Sequence, residues 1–320
     1  MHCLVSVVIP THKRELKYIK RSVESVLRQT YDNWELIIVD DNSELPEYRE
    51  TVKNYVSQLN SDRIHLFLNG KNLGGSLTRN RGIEEASGEY IAFLDDDDAY
   101  LPNRIEDMLA FMVETDCDMA FSNLLMRNND GKVVDFREHS SIKSFDNDYL
   151  LAYHLVKNIS GTSSFMYRTE AIRRIGGFMD AKMGQDFHII FRTLTGGLKT
   201  RYFNSNSVII YKHSDGGISQ GRNKIEGENR LYNFKKDYFD RLTKAEIRYV
   251  KFRHYAVMVV AYLRNRNVPM AMVMGIKAFF SAPLVFFKEV FGFFGRIAKH
   301  RDDVYYVPEE ETKIPETITR

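Results

Sequence analysis

The chain has 320 residues, enough to bury a sizeable core as one large domain or two modest ones. Its hydrophobic share of 43% and charged share of 28% are ordinary for a soluble globular protein. The net charge of +2 leaves no electrostatic footprint for nucleic acid, so no nucleic-acid partner is expected. Cys3 and Cys117 lie far apart and match no metal or redox spacing; both read as small buried hydrophobes in a reducing cytosol. The opening MHCLVSVVIP has no basic stretch followed by a long apolar run and a small-residue cleavage site. It reads as a first strand rather than a signal peptide, and the catalytic part is expected in the cytoplasm.

Residues 4–9 form a short β-branched run closed by Pro10, after which Leu16, Ile19, Val23, Val26 and Leu27 recur at helical spacing. A second strand is predicted over 34–39, stopping at Asp40, Asp41, Asn42 and Ser43. A helix follows, with Tyr48, Val52, Tyr55, Val56 and Leu59 on one face. Residues 64–68 predict a third strand, 77–86 a helix and 89–94 a fourth strand. This alternation argues for an α/β fold whose mostly parallel sheet is covered on both faces. In such sheets ligands bind beyond the carboxyl ends of the strands. The residues at those ends are Pro10, Thr11, His12, Lys13 and Arg14; Asp40 to Ser43; Asn69 and Gly70; and Asp95, Asp96, Asp97 and Asp98. Those are the polar, ligand-capable clusters of the first hundred residues, and their coincidence with strand ends marks a candidate site.

Further along, 119–126 and 133–134 flank a hairpin turn at 128–131. Residues 163–167 predict a strand, leading into a short helix that stops at Gly176 and Gly177. Another helix starts near Asp186, with Phe187, Ile190, Phe191 and Leu194 apolar, and a strand over 208–211 precedes His213. From about 223 to 301 the pattern is helical. Residues 268–287 are apolar apart from Lys277, and Phe291, Phe293 and Phe294 extend the run. Arg264, Arg266, Lys277, Lys288, Arg296, Lys299 and Arg301 stand around it against one acid, Glu289. Pro269, Pro283 and the interior charge are awkward for a membrane span. A basic amphipathic region lying on an anionic membrane surface through 264–301 fits better, with a packed helical layer as the alternative. The tail 302–320, carrying Glu309, Glu310, Glu311 and two prolines, is expected to be disordered.

Four adjacent aspartates after a hydrophobic strand repel one another unless something neutralises them. Mg²⁺ or Mn²⁺ is the natural neutraliser, because it takes one or two carboxylates and completes its shell with phosphate and water. A calcium loop fails: Glu106 stands twelfth from Asp95, but Tyr100 occupies the place of the turn glycine. A merely solvated charge run fits poorly, because the cluster follows a strand core directly. No nucleophile elbow, phosphate-binding P-loop or dinucleotide fingerprint is present.

The segments VSVVIPTHKR (5–14), LIIVDDNS (36–43), NLGG (72–75), RNRGI (79–83), GEYIAFLDDDD (88–98), GGF (176–178) and the Gln185–Asp186 pair occur in order. Together they resemble family 2 glycosyltransferases of the GT-A fold, bacterial polysaccharide-assembly type, over about residues 4–215. The resemblance implies a GT-A catalytic domain over 1–220, with a nucleotide-binding half (1–100) and an acceptor-binding half (101–220), followed by the helical region 221–301. It implies that Pro10, Thr11 and the segment to Arg14 line the nucleobase pocket, that Asp41 accepts the base's N3–H, and that Arg79 lies near the nucleotide. Asp95 and Asp97 form the Asp-x-Asp motif: Asp97 binds the metal directly, Asp95 lies nearer the ribose and metal water, and Asp96 supports the donor. Asp186 is the implied general base, with a helix cap as its plain structural alternative. His213 falls where relatives place a histidine near metal or diphosphate, with a loop histidine as the alternative. Two departures from the family pattern are His12-Lys13 after the first strand's threonine and Gln185 where a glutamate is usual.

The activity so implied is inverting transfer of a hexose or N-acetylhexosamine from a UDP-sugar to a glycan or polyprenyl-linked glycan hydroxyl. It would use Mn²⁺ or Mg²⁺ and act at the inner face of the cell membrane. A sugar nucleotidyltransferase is the enzymatic alternative, but it lacks its glycine-rich, arginine-containing loop after the first strand. A non-catalytic membrane-surface scaffold is the other, and the intact Asp95, Asp97 and Asp186 argue against it.

Overall fold

The computed structural model describes residues 2–287 except 129, 130, 160 and 213–220. The first hundred residues build the expected frame: β1 (Val5–Thr11), α1 (Leu16–Leu27), β2 (Trp34–Asp40), α2 (Pro46–Leu59), β3 (Ile64–Leu68), α3 (Gly74–Glu85) and β4 (Tyr90–Phe93). After these come β5 (Ala99–Tyr100), α4 (Arg104–Glu114), β6 (Met119–Ser122), β7 (Leu124–Asn128), β8 (Val133–Arg137) and α5 (Asn147–Lys157). The catalytic part closes with β9 (Phe165–Arg168), α6 (Thr169–Arg174), α7 (Gln185–Thr195), β10 (Thr200–Phe203) and β11 (Val208–Lys212). Helices α8 (Gly221–Lys236), α9 (Lys244–Arg264) and α10 (Val268–Ser281) follow.

The main sheet runs β10-β6-β9-β4-β1-β2-β3. Strands β4, β1, β2 and β3 are mutually parallel, as are β10 and β6, and only β9 runs against its neighbours. Period-two alternation sends Val5, Val7 and Ile9 to one face of β1 and Val8 to the other. The first face is covered by α1, α2 and α4, the second by α3, α5, α6 and α7, giving three layers. This is the mostly parallel α/β architecture that the sequence predicts. A smaller sheet, β5-β11-β7-β8, stands beside it.

Three local expectations need correction. Residues 119–126 are not one strand, because Asn123 divides β6 in the main sheet from β7 in the small one. Its amide donates to Ser205 O at 3.1 Å, and its side chain donates to Asn204 and Asn206 at 2.9 and 2.8 Å, which turns the chain out of the first ladder. The strand over 163–167 begins instead as a helical turn at Thr162–Ser164 before β9. The apolar run 268–287 is broken at Ala282, whose extended φ of −160° suits a residue before Pro283. The β7–β8 hairpin is present, with Gly131 at φ +75°; Asn129 and Asp130 of its turn lie outside the described residues. Cys117 is buried, but Cys3 is only half-buried.

The C-terminal helices are in part a packed layer. Val250 of α9 joins the core on the α5 and α7 face, and Phe234 of α8 meets Phe187 and Phe191 of α7 edge-on. Gly227 allows this approach: a Cβ there would stand 2.1 Å from Met183 Sδ, just ahead of α7. The expected basic segment and tail beyond 287 lie outside the described residues.

Candidate active site

The strand ends converge as the α/β rule requires. Asp95 follows β4, whose neighbour β1 ends at Thr11, and Asp41 follows β2. A tight turn folds the acidic cluster, with Asp98 N donating to Asp95 O at 3.1 Å. The four carboxylates then take different environments. Asp98 is buried and accepts from Ser163 Oγ at 2.7 Å and from Tyr211 N at 3.3 Å. Burial, reinforced by the negative Asp97 and Asp95, holds its carboxyl well above the usual range. Asp98 is therefore a pin between the cluster, the 162–164 turn and β11.

Asp96 is also buried, with Arg14 Nε 2.9 Å from its carboxylate. Burial pushes its carboxyl up to about 6, against the pull of Arg14 and with a further push from Asp97. The Arg14 fork also reaches Asp97 at 2.8 Å. Burial alone would lower the Arg14 pKa, but Asp96 and Asp97 more than reverse that and raise it. Arg21, its guanidinium 3.4 Å from the Tyr211 ring centre, donates to Asp97 O and braces the turn from α1.

Asp95 pairs with Arg79 of α3. The same guanidinium donates from Nη1 to Gln185 Oε1 at 2.7 Å and to Gly75 O at 3.1 Å, and lies against the Phe178 ring. Gln185 opens α7 and directly precedes Asp186. One arginine thus joins the acidic cluster to the segment carrying the expected base. Where a glutamate is usual, the amide oxygen of Gln185 takes this bond, a role the sequence did not disclose.

Asp186 is half-buried. Its Oδ2 accepts from Gly161 N at 3.2 Å and its Oδ1 from Phe187 N at 2.9 Å. The helix-cap alternative does not describe it, since the N-cap of α7 is Gly184 and Asp186 is the second helical residue. There the helix dipole favours its negative charge.

The expected base pocket is built around Asp41. Its carboxylate accepts from Asn69 Nδ2 at 2.8 Å, Leu73 N at 2.8 Å and Gly74 N at 2.9 Å. These bonds start α3 a turn earlier than predicted, with Gly74 at φ +76°. They use three of the carboxylate's roughly four acceptor positions. The unusual His12-Lys13 pair is accommodated locally: His12 Nδ1 lies 3.1 Å from Asp41 O, and Lys13, at φ 51°, donates its amide to Asn42 Oδ1 at 2.6 Å. Pro10 and buried Thr11 lead into this turn. Arg49, which the sequence did not single out, holds buried Asp40 at 2.8 Å and Asn69 O at 2.8 Å.

Among the described residues no three carboxylate, histidine or cysteine side chains gather as a complete metal cage. Asp95 and Asp97 still offer two carboxylates in one turn, and the Asp95 side chain is 38% exposed. Two hard oxygen donors fit Mg²⁺ or Mn²⁺ whose remaining ligands are phosphate and water. His213 lies outside the described residues.

The family model described as "Glycosyl transferase family 2" matches residues 6–176. This chain belongs to glycosyl transferase family 2. The match takes in every donor-side residue above and stops before Gln185. WcaA of Escherichia coli strain K12, whose name ties it to colanic acid biosynthesis, is 30% identical over 271 residues, 83% of this chain and 90% of its own. WfgD of Escherichia coli, named UDP-Glc:alpha-D-GlcNAc-diphosphoundecaprenol beta-1,3-glucosyltransferase, is 35% identical over 133 residues, 42% of this chain and only 50% of its own. Among solved structures, Staphylococcus aureus TarS 1–349 in complex with UDP-GlcNAc aligns with a TM-score of 0.54 at 16% identity, covering 84% of this chain and 90% of that one. At that identity the likeness concerns the fold, which is GT-A. Family membership selects the glycosyltransferase over the nucleotidyltransferase.

Proposed function

We propose that this family 2 glycosyltransferase moves a hexose or N-acetylhexosamine from a UDP-sugar to a hydroxyl of a glycan or lipid-linked glycan, in cell-surface polysaccharide assembly and with inversion. The observation that carries the reading is the chain of contacts from Asp95 through Arg79 and Gln185 to the turn bearing Asp186. It joins a donor-binding carboxylate to a proton acceptor across one cleft. The names of WcaA and WfgD, and the UDP-GlcNAc bound by TarS, support the substrate classes.

Asp186 takes the proton of the acceptor hydroxyl while that oxygen bonds to the anomeric carbon. The bond from that carbon to the diphosphate breaks on the opposite side, and its electron pair leaves with UDP, so one displacement inverts the centre. Arg14 and Arg79 stand where negative charge gathers on the leaving group. Asp95 and Asp97 would hold a divalent ion, which supplies further charge stabilisation when bound. The nucleobase lies against Pro10, Thr11 and Asp41.

The catalytic domain spans 1–220 and acts at the cytoplasmic face of the membrane. α10, the end of α9 and the segment after Pro283 expose Val260, Leu263, Met272, Ile276, Phe280 and Leu284, with Arg264, Arg266 and Lys277 among them. No helix among the described residues is long and apolar enough to cross a membrane. A surface-lying apolar face flanked by cations suits an anionic bilayer.

UDP release with manganese over a panel of donors tests the activity. Asp97→Ala and Asp186→Asn should each lower kcat by about 10²–10⁴-fold, with the Asp186 variant retaining its affinity for UDP. Undiminished turnover in either sinks the role given to that residue.

A further inference from the structure

The Asp186 carboxylate accepts from two backbone amides in different segments, Gly161 in the loop after α5 and Phe187 in α7. One side chain ties those segments together. His154, in the last turn of α5, is fully buried, and both of its ring nitrogens meet backbone. Ile159 N, two residues before Gly161, donates to Nδ1 at 3.1 Å. The other ring nitrogen, Nε2, lies 3.0 Å from Phe187 O, on the residue whose amide serves Asp186. The imidazole also stacks on the Phe187 ring, with ring centres 4.3 Å apart and an interplanar angle of 23°.

These contacts fix the tautomer. A peptide N–H only donates, so Nδ1 is bare and the ring proton sits on Nε2, which donates it to Phe187 O. Burial, then Lys235, hold the ring well below the ordinary histidine pKa, which keeps this neutral form. An imidazolium would turn a second N–H against the Ile159 amide. Fully buried and with both nitrogens engaged, His154 does not touch substrate and works through what it holds. A histidine kept only for packing needs hydrogen-bond partners too, but they could lie anywhere. Here each lies in a segment that donates to Asp186. The next turn is anchored without the ring: Ser163 Oγ donates to Asp98 at 2.7 Å and Arg104 Nη2 to Ser164 O at 2.8 Å.

We propose that His154 is a positioning residue for the reaction: its ring, accepting at Nδ1 and donating from Nε2, sets the two peptide donors that aim the Asp186 carboxylate at the acceptor hydroxyl. The inference deepens the transferase reading and rests on Asp186 as the proton acceptor. A base displaced by about 1 Å loses up to about 10²-fold in rate. The loss falls on kcat, because the donor-side contacts of Asp41, Arg79 and the acidic cluster do not run through the ring.

The test measures kcat by UDP release with the best donor of the panel, and UDP affinity by calorimetry, on the full chain. His154→Phe keeps the ring volume and the stack on Phe187 but removes both hydrogen bonds. It should lower kcat about tenfold or more, with donor KM and UDP affinity within about twofold of wild type. His154→Asn keeps an acceptor for Ile159 N but does not reach Phe187 O. It should show the same split, and it carries the test should His154→Phe fold poorly. In the wild-type chain, the imidazole ¹⁵N spectrum should show a bare Nδ1 and a protonated Nε2 for His154. A proton on Nδ1 overturns the proposal. So does a wild-type kcat in the variants, or an equal loss of kcat and UDP affinity, which marks a residue that only holds the core. Asp186→Asn is the reference: if it loses turnover while the His154 variants keep theirs, this proposal alone falls. Full turnover in Asp186→Asn removes the base reading, and this inference with it.

Discussion

Replacing Arg79 by methionine separates the donor and base sides of the cleft at one atom group. The side chain is 9% exposed and meets Asp95, Gln185 and Gly75. Asp95 is more than a third exposed, so water can replace its partner, and that pair contributes only about 0.5–1 kcal/mol. The two hydrogen bonds from a charged donor to Gln185 and Gly75 add about 1–1.5 kcal/mol each. Methionine refills most of the apolar volume beside Phe178, so the cavity contribution is small. The sum is about 3 kcal/mol, which for a chain of this size lowers Tm by about 4–5 °C. UDP affinity should fall about 10–100-fold with the lost guanidinium. Arg79→Lys should fall between, since one ammonium cannot replace a fork serving three acceptors. Thermal unfolding and calorimetry with UDP read the two effects separately. A melt within a degree of wild type would show that Arg79 does not hold the start of α7, and an unchanged UDP affinity would remove it from the donor site.

Two further expectations address stability and surface. His139, buried against Phe121 and Tyr202, is pushed down to about 4 by burial and then by Arg137 and Arg253. Its folded pKa lies below the unfolded value of about 6.5, so its contribution is intact above that pH and is lost as pH falls through about 4. It amounts to about 3 kcal/mol, and His139→Gln should flatten the acid side of a stability–pH curve; an unaltered slope refutes the assignment. His154, buried and likewise depressed, keeps the slope from vanishing. On α10, the triple change Met272→Glu, Ile276→Glu and Phe280→Glu should reduce binding to anionic vesicles by about 10²-fold or more, at unchanged UDP affinity. Co-sedimentation that does not change would leave the face as a packed or protein-binding surface. Truncation near residue 240 is the poorer test, because it also strips Val250 and Arg253 from the folded body.

Much of the nucleotide half was legible because its signals are local. Strand runs ending in polar clusters fix where β1, β2 and β4 stop, and the α/β rule then brings Thr11, Asp41 and Asp95 together. What escaped are contacts between elements distant in sequence. Nothing in the spacing tells Asp98, a buried pin, from Asp97, a half-open carboxylate, since the difference comes from Ser163 and Tyr211 folding onto one of them. In sequence Gln185 reads as a missing charge, and only the fold places Arg79 beside its amide oxygen. Asn123 lies in an apolar run, and only the side chains of the 204–206 loop explain why the chain leaves the sheet there.

α9 joins two surfaces of different character, with Arg253 held on the carbonyl of Lys157 at the end of α5 and Leu263 exposed at the far end. Ten residues of helix separate them, a span of about 15 Å. If the apolar end rests in a bilayer, that rigid length works as a ruler and holds the reaction centre a fixed, short height above the lipid headgroups. An enzyme so mounted serves acceptors whose reactive sugar sits next to the anchor and cannot follow a polymer as it grows away. Rates that decline as the anchored glycan is lengthened, and that lose this decline once α10 is made polar, would be the signature of such a gauge.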